Sequence, residues 1–142
     1  MLVGFTPRQI VAETIIVAFG DSTTATRGQL NIYAKRLAAA PLLKPFDLKI
    51  INAGVGGNNT SLASKRFNRD VLRHHADLVV IQFGINDAAV DVWRTPPATL
   101  PRISLKEFEI NLKHFITASQ SQGAQVILMT PNPMRWTAKL KT

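Results

Sequence analysis

Apolar residues in this chain occur either as short continuous runs or at helical spacing in the stretches between those runs. The continuous runs are rich in β-branched residues and cover Thr14–Phe19, Leu48–Asn52, Leu78–Phe83 and Gln125–Thr130. A short, unbroken apolar run is typical of a parallel strand that is buried on both faces. The pattern therefore predicts four strands connected by helical segments.

The segments between the runs repeat apolar residues at intervals of three and four, which is the period of a helix with one buried face. We expect one helix in each segment, and the second helix begins near Thr60 in this prediction. Ser104 and Glu107 form a capping-box pattern at the start of the third. The apolar positions of the three helices are Leu30, Tyr33, Ala34 and Leu37, then Leu62, Phe67, Val71 and Leu72, then Leu105, Phe108, Leu112, Phe115 and Ile116.

Alternating strands and helices predict a three-layer α/β/α sandwich around a parallel sheet, with the strand order 2-1-3-4. The fourth strand, Gln125–Thr130, is as apolar as a strand with two neighbours, yet twelve residues follow it and they do not read as a strand. An uncovered edge of this kind promotes pairing with other chains. We therefore expect that a fifth strand is missing from this sequence, or that self-association covers the edge.

Length and composition indicate one globular domain over residues 1–142, because 142 residues can bury a core and the hydrophobic content is 46%. No apolar run approaches the ~20 residues that cross a membrane. The N-terminus lacks the pattern of a secretory signal, so we expect a cytoplasmic location by default and no membrane partner. The sequence contains no cysteine, which excludes disulfides and thiolate chemistry.

The net charge of +8 raises the question of nucleic-acid binding. The basic residues are scattered, without interleaved aromatic residues or a known nucleic-acid motif. We therefore expect no nucleic-acid partner and place most of these residues on solvated outer faces of helices. They include Arg27, Lys35, Arg36, Lys65, Arg66, Arg69, Arg73, Arg102, Lys106 and Lys113.

Three polar or glycine-rich motifs follow the first three predicted strands. They begin with Gly20-Asp21-Ser22, Asn52-Ala53-Gly54 and Gly84-Ile85-Asn86. Ligands of open α/β sheets bind beyond the carboxyl ends of the strands, so all three motifs lie at the edge where a site is expected. Ser22 supplies a hydroxyl nucleophile, Gly57 a backbone N–H free of side-chain hindrance, and Asn86 an amide donor. This set can attack an acyl carbonyl and hold the resulting oxyanion.

Each of these residues also has a purely structural interpretation. Ser22 precedes a predicted helix and is suited to cap it. Gly57 belongs to a glycine cluster that suits a flexible turn, and Asn86 suits an Asx turn. The neighbouring Asp21 and Asp87 are expected to order backbone amides in their turns rather than to act as general acids.

Together the motifs resemble those of the GDSL, or SGNH, hydrolase family. Residues 19–23, 52–58 and 83–87 are similar to three family blocks, and the resemblance extends from about Thr14 to Pro133. It implies a flavodoxin-like fold and a serine esterase that works through an acyl-serine intermediate. Ser22 falls at the position of the nucleophile, and Gly57 and Asn86 fall at the positions of the oxyanion donors. The Gly-Asp-Ser-Thr-Thr form is similar to carbohydrate acetylesterases of the family, which implies a small acyl group such as acetyl; lipase activity stays open.

The sequence departs from the family at a fourth block, Asp-x-x-His, which supplies the base and its orienting carboxylate. No Asp-x-x-His occurs here. His74 and His75 precede the third strand at the wrong edge of the sheet, and His114 falls within a helix. A serine hydroxyl without a base is a poor nucleophile, so we expect this chain alone to be weakly active or inactive. The alternative function is a non-catalytic binding or assembly module of the same fold.

No cofactor is expected. The Gly54-Val55-Gly56-Gly57 stretch lacks the third glycine of a dinucleotide fingerprint, and the sequence has no phosphate-binding loop with Gly-Lys-Ser/Thr. No group of His, Asp and Glu has metal-ligand spacing. Trp93 and Trp136 lie in predicted loops, where they serve either as loop anchors or as walls of an acyl or sugar pocket.

Overall fold

The structure, a computed structural model, describes residues 13–132 of the chain. Within this range four parallel strands form one sheet in the order β2-β1-β3-β4. The strands are β1 (Thr14–Gly20), β2 (Leu48–Gly54), β3 (Leu78–Gln82) and β4 (Gln125–Leu128). The predicted fold class and strand order are confirmed.

The strands are in register at their carboxyl ends. Gly20 at the end of β1 pairs with Gly54 of β2 and with Gln82 of β3, and Ile81 pairs with Leu128 of β4. The loops that follow β1, β2 and β3 therefore leave the sheet along one edge. The boundaries differ slightly from the prediction, since β2 continues two residues further and β4 ends two residues earlier.

Helices cover the two faces of the sheet unequally. Their bounds are α1 (Tyr33–Ala39), α2 (Thr60–Ser64), α3 (Phe67–Asp70) and α4 (Leu105–Ser121), with 3-10 helices at Pro41–Leu43 and Leu72–His74. Ala34 of α1 packs with Ala18 on one face, and α3 and α4 pack on the other. Residues 15–19 of β1 are all apolar. Because successive residues of a strand point to opposite faces, β1 presents apolar side chains to both faces of the sheet.

Four phenylalanines form the centre of the larger core, on the face covered by α3 and α4. Phe19 of β1 contacts Phe83, Phe67 and Phe115, with ring centroids 5.0 to 5.5 Å apart. All four rings are buried. Tilted and edge-to-face pairs of this kind add to the stability that burial alone provides.

Several helix predictions need correction. Two positions of the predicted buried stripes are exposed, since Leu30 precedes α1 and is 54% exposed and Leu62 of α2 is 44% exposed. The single helix expected from Thr60 is divided into α2 and α3, and between them the Arg66 backbone (φ −115°, ψ −2°) departs from ideal helical values while its side chain reaches the strand ends. Leu105 is not part of the buried stripe of α4, since it is 81% exposed at the first position of that helix. The capping prediction holds in part, because the Ser104 hydroxyl accepts a hydrogen bond from the Glu107 N–H at 3.2 Å.

Strand β4 is an edge strand among residues 13–132, and Ile127 and Leu128 are each 50% exposed. On the face covered by α1, a groove of about 520 Å³ runs from Tyr33 to Ile127 and Met129. Pro133 and Trp136, which the prediction placed outside any strand, lie outside the described residues. Within the described part of the chain, no helix is long and apolar enough to cross a membrane.

Candidate active site

Ser22 lies in a tight turn directly after β1. The buried Asp21 carboxylate fixes this turn, because its Oδ1 accepts hydrogen bonds from the Thr23 N–H and the Thr23 hydroxyl, both at 2.8 Å. The predicted role of Asp21 as an organiser of turn amides is confirmed. The interpretation of Ser22 as a helix cap is wrong, since the next helix begins only at Tyr33 with Ile32 as its N-cap residue.

Gly57 lies in the loop after β2 and has a left-handed backbone (φ +75°), and no atom of the described residues other than its two chain neighbours lies within 4 Å of the position where its side chain would begin. Its neighbour Gly56 faces the serine, since a Cβ atom on Gly56 would lie 4.0 Å from the Ser22 Cβ. Gly54 permits this approach of the two loops, because a Cβ there would lie 2.3 Å from the backbone nitrogen of Ala25. The structure thus brings the serine loop and the glycine loop together.

Asn86 lies in the loop after β3 and connects it to the glycine loop. The Asn86 Nδ2 donates a hydrogen bond to the Asn58 carbonyl at 2.9 Å, which leaves its second N–H for another acceptor. Beside it, the Asp87 Oδ1 accepts from the Thr60 N–H at 2.8 Å and from the Thr60 hydroxyl at 2.6 Å. The prediction for Asp87 holds in part, because its carboxylate orders a backbone amide, but that amide belongs to α2 and not, as expected, to its own turn.

Two further side chains connect the loops to the sheet. Gln82, the last residue of β3, places its Oε1 3.1 Å from the Thr23 hydroxyl oxygen, so it shares with Asp21 the single hydrogen that this hydroxyl can donate. Asn52 of β2 donates from Nδ2 to the Thr24 carbonyl at 2.9 Å and accepts from the Gly54 N–H at the same distance. The three predicted loops are therefore one hydrogen-bonded unit at the carboxyl edge of the sheet.

Arg66 is the residue that sequence reasoning missed. It was expected on a solvated helix face, but it is 7% exposed and its guanidinium contacts the ends of β1 and β2. Burial lowers its pKa and the hydrogen bond to Asp70 opposes that shift. The sequence offers one signal, because Arg66 follows Leu62 of the predicted apolar stripe by four residues and Ala63 by three, which places it on the apolar face of the expected helix.

The three histidines lie away from the Ser22 loop, as predicted. His74 ends the 3-10 helix before β3, and His75 is next to it with a left-handed backbone. Burial and nearby Arg73 and Lys49 lower the His74 pKa. The His114 ring lies within α4, 5.7 Å from the ring of Phe67. None of these imidazoles occupies the carboxyl edge of the sheet, and residues 13–132 contain no cluster of three or more metal-ligating side chains.

A pocket of about 470 Å³ opens beside the Asn86 loop, between that loop and the start of α4. Within residues 13–132 its one charged lining residue is Asp87, whose Oδ2 is buried and has no hydrogen-bond partner in that range. Trp93 does not line it and is 73% exposed, while Trp136 lies outside the described residues. The lining residues are Gly84, Asp87, Ala88, Val90, Pro101, Ile103, Leu105, Phe108 and Pro131.

Comparison with known protein families and curated sequences gives several matches. A family model described as the GDSL-like Lipase/Acylhydrolase family matches residues 18–141. The chain is 38% identical over 123 residues to an uncharacterized lipoprotein, YqeF, of Bacillus subtilis (strain 168), a match covering 84% of this chain and 49% of that protein. It is 31% identical over 87 residues to an acetylxylan esterase of Geobacillus stearothermophilus, covering 59% of this chain and 38% of that protein. The chain thus spans half or less of the length of these curated relatives.

Solved structures agree with these matches. A lipase/acylhydrolase from Enterococcus faecalis superposes with a TM-score of 0.66 at 34% sequence identity, over 83% of this chain and 57% of that chain. A catalytic mutant of an acetylxylan esterase from Geobacillus stearothermophilus also gives a TM-score of 0.66, at 26% identity, over 83% of this chain and 59% of that chain.

Proposed function

Because this chain belongs to the GDSL-like lipase/acylhydrolase family, we propose that it carries the nucleophile and the oxyanion site of a serine esterase. Ser22 is the nucleophile in this proposal. The backbone N–H groups of Ser22 and Gly57 and the free N–H of the Asn86 amide are the oxyanion donors. The observation that carries the proposal is the hydrogen-bonded unit that the Ser22, Gly57 and Asn86 loops form at one sheet edge.

The reaction follows from this arrangement. The Ser22 Oγ forms a bond to the ester carbonyl carbon, and the carbonyl oxygen takes up the electron pair as an oxyanion between the three donors. Collapse of this tetrahedral species breaks the bond to the alcohol and leaves an acyl-serine, which water then hydrolyses. Preorganised donors stabilise the charge that develops, and the loss of one such donor in another serine hydrolase lowers turnover about 10²–10³-fold.

The proton of Ser22 needs an acceptor, and His74, His75 and His114 are too far from the carboxyl edge to serve. In the 142-residue chain we propose that water or hydroxide takes this proton, which makes attack slow. In another serine hydrolase, loss of the base lowers turnover about 10⁶-fold and leaves roughly 10³–10⁴-fold over water. A base supplied by additional polypeptide would therefore raise the rate greatly.

We propose a small acyl group, with acetyl esters of carbohydrates as the first substrates to test. The matches include acetylxylan esterases, which supports this choice. The apolar pocket beside Asn86 supports a wider range, because Gly84 and Ala88 of the same loop line it and an acyl chain attached at the oxyanion site can enter it. Rates measured with a series of p-nitrophenyl esters from acetate to octanoate distinguish a site restricted to small acyl groups from one that accepts longer acyl chains.

The test uses the verified 15.6 kDa chain, with intact mass as the readout of serine labelling by a fluorophosphonate. Labelling accumulates over hours, so it detects even a weakly reactive serine. We expect one adduct on Ser22, no adduct in Ser22→Ala, and unchanged labelling in the matched control Ser121→Ala at the exposed end of α4. Turnover of p-nitrophenyl acetate that survives Ser22→Ala, together with an adduct at another residue, would refute the assignment.

A second candidate function is a non-catalytic binding or assembly module. The observation that favours it is the position of all three histidines away from the Ser22 loop. Ile127 and Leu128 are half-exposed on β4, which has no second neighbouring strand within residues 13–132, and this edge suits strand pairing with a second copy or with further polypeptide. Absence of labelling and turnover in the intact chain, with self-association detected by sedimentation, would favour this function over the esterase.

A further inference from the structure

We infer that Arg66 is a positioning residue for the esterase site: its guanidinium holds the Ser22 loop and the Gly57 loop in the mutual arrangement that the oxyanion requires. The inference deepens the proposed function and rests on it. Arg66 does not touch the reacting atoms in this account. It acts through the backbone carbonyls at the ends of two strands.

The contacts of Arg66 converge on both loops. Nη2 donates to the Gly20 carbonyl at 3.0 Å, two residues before Ser22. Nη1 donates to the Ala53 carbonyl at 2.7 Å, and Nε donates to the Asn58 Oδ1 at 2.7 Å. Ala53 and Asn58 bracket the glycine loop that contains Gly57, so one rigid side chain joins the start of the serine loop to both ends of the glycine loop.

The planar guanidinium is suited to this task. Its five N–H donors have fixed directions, whereas the ammonium of a lysine is a single point on a flexible stem. The guanidinium carbon lies 4.8 Å from the centre of the Phe19 ring, and Asp70 Oδ2 accepts from Nη1 at 3.1 Å. The aromatic ring and the carboxylate hold the guanidinium in one orientation, so its hydrogen bonds act as a fixed frame.

The same unit continues to the third loop. The Asn58 carbonyl accepts the hydrogen bond from Asn86 Nδ2, while its side chain accepts from Arg66. A displacement of Asn58 after loss of the guanidinium would therefore move the Asn86 amide as well. Small displacements matter at such a site, because a 1 Å misplacement of catalytic groups can lower a rate about 10²-fold.

Arg69 is a matched control for Arg66. It is an arginine three residues further on, and it also donates to Asp70, from Nε at 2.7 Å. Its side chain is 67% exposed, and its hydrogen bonds go to Asp70 rather than to either loop. Arg69→Met therefore removes the same charge next to the same carboxylate and leaves the contacts of Arg66 to the two loops intact.

The experiment measures fluorophosphonate labelling of Ser22 in the full chain, with the maximal rate kinact separated from the half-saturating concentration KI. In this reaction the Ser22 oxygen forms a bond to phosphorus, the phosphorus–fluorine bond breaks, fluoride leaves and the serine proton passes to solvent. We expect Arg66→Met to lower kinact about 10²-fold with KI almost unchanged. Arg66→Lys should recover part of kinact, and Arg69→Met should match the parent chain. A merely structural role would lower the melting temperature without this split between kinact and KI.

A second readout keeps the test independent of Ser22 reactivity. Amide signals of Ser22 and Gly57 and the side-chain amide signal of Asn86 are compared in ¹H–¹⁵N spectra. Arg66→Lys should shift all three and Arg69→Met should leave them in place; Arg66→Lys also serves if Arg66→Met does not fold. If the parent chain takes no label at Ser22, the proposed function fails, while the spectra still show whether Arg66 holds the Ser22, Gly57 and Asn86 loops in place. Unchanged spectra and equal kinact in the Arg66 and Arg69 variants would overturn the inference.

Discussion

Replacing Phe115 by alanine tests the packing on which the sheet edge depends. Phe115 of α4 is completely buried, and its ring centroid lies 4.8 Å from that of Phe67 and 5.2 Å from that of Phe19. A buried phenylalanine removes about 200 Å² from water, which corresponds to about 5 kcal/mol at ~25 cal/mol per Å². Alanine retains part of this, and a cavity adds to the loss, so we expect Phe115→Ala to lower the free energy of unfolding by about 4 kcal/mol, within the usual range of 3–5 kcal/mol.

Leu105 provides the control within the same helix. It belongs to the same apolar repeat in the sequence, but it is 81% exposed, so Leu105→Ala should change the free energy of unfolding by no more than about 0.5 kcal/mol. Urea unfolding followed by circular dichroism measures both. With a slope of about 2 kcal/mol per M, Phe115→Ala should lower the midpoint by about 2 M.

If Phe115→Ala is unfolded without urea, Phe115→Leu gives a measurable loss of about 1–2 kcal/mol, because leucine fills much of the cavity. Equal losses for the Phe115 and Leu105 variants would refute the reasoning. That result would mean that the apolar repeat of α4 contributes evenly along its length, and that the aromatic cluster is not the centre of the core.

Three further predictions concern capping, loop packing and pH. Ser104→Ala should lower the free energy of unfolding by about 1 kcal/mol, because α4 loses its N-cap acceptor, and thermal unfolding measures this. Gly54→Ala should cost more than about 3 kcal/mol because its Cβ has no space, whereas Gly57→Ala should cost about 1–2 kcal/mol for its left-handed backbone; equal losses would contradict the loop geometry. A hydrogen bond from Arg69 is the largest cause that lowers the Asp70 pKa from its usual 3.8. The contribution of Asp70 should therefore be complete at neutral pH and vanish as the pH falls below that value, so the stability difference between the parent chain and Asp70→Asn should close in acid.

Most of the fold could be predicted because its strands are buried on both faces. Each strand then appears as an apolar run that no helix period explains, and all four runs correspond to observed strands within two residues. The motifs after the strands indicated the site edge for a related reason, since parallel strands place their carboxyl ends together. The prediction was weaker for α2, α3 and the start of α4. There, the spacing of apolar residues indicates which positions share a helix face, but it does not indicate where a neighbouring element ends and leaves a residue such as Leu105 exposed.

The break between α2 and α3 and the buried arginine occur at the same residue, Arg66. A strand that ends in a sharp loop leaves carbonyl oxygens at its last residues, and a buried carbonyl without a donor is unfavourable. Arg66 donates to the Ala53 carbonyl at the end of β2 and adds a second donor to the Gly20 carbonyl of β1, which also accepts from the Val55 N–H at 3.1 Å. A prediction that places every arginine in solvent therefore misses the break between α2 and α3, and it also misses the hydrogen bonds by which Arg66 connects the Ser22 loop to the Gly57 loop. These hydrogen bonds persist because the Arg66 charge is paired with Asp70 and its donors bind backbone carbonyls. Apolar packing alone has no such directional contacts and would not fix the two loops relative to each other.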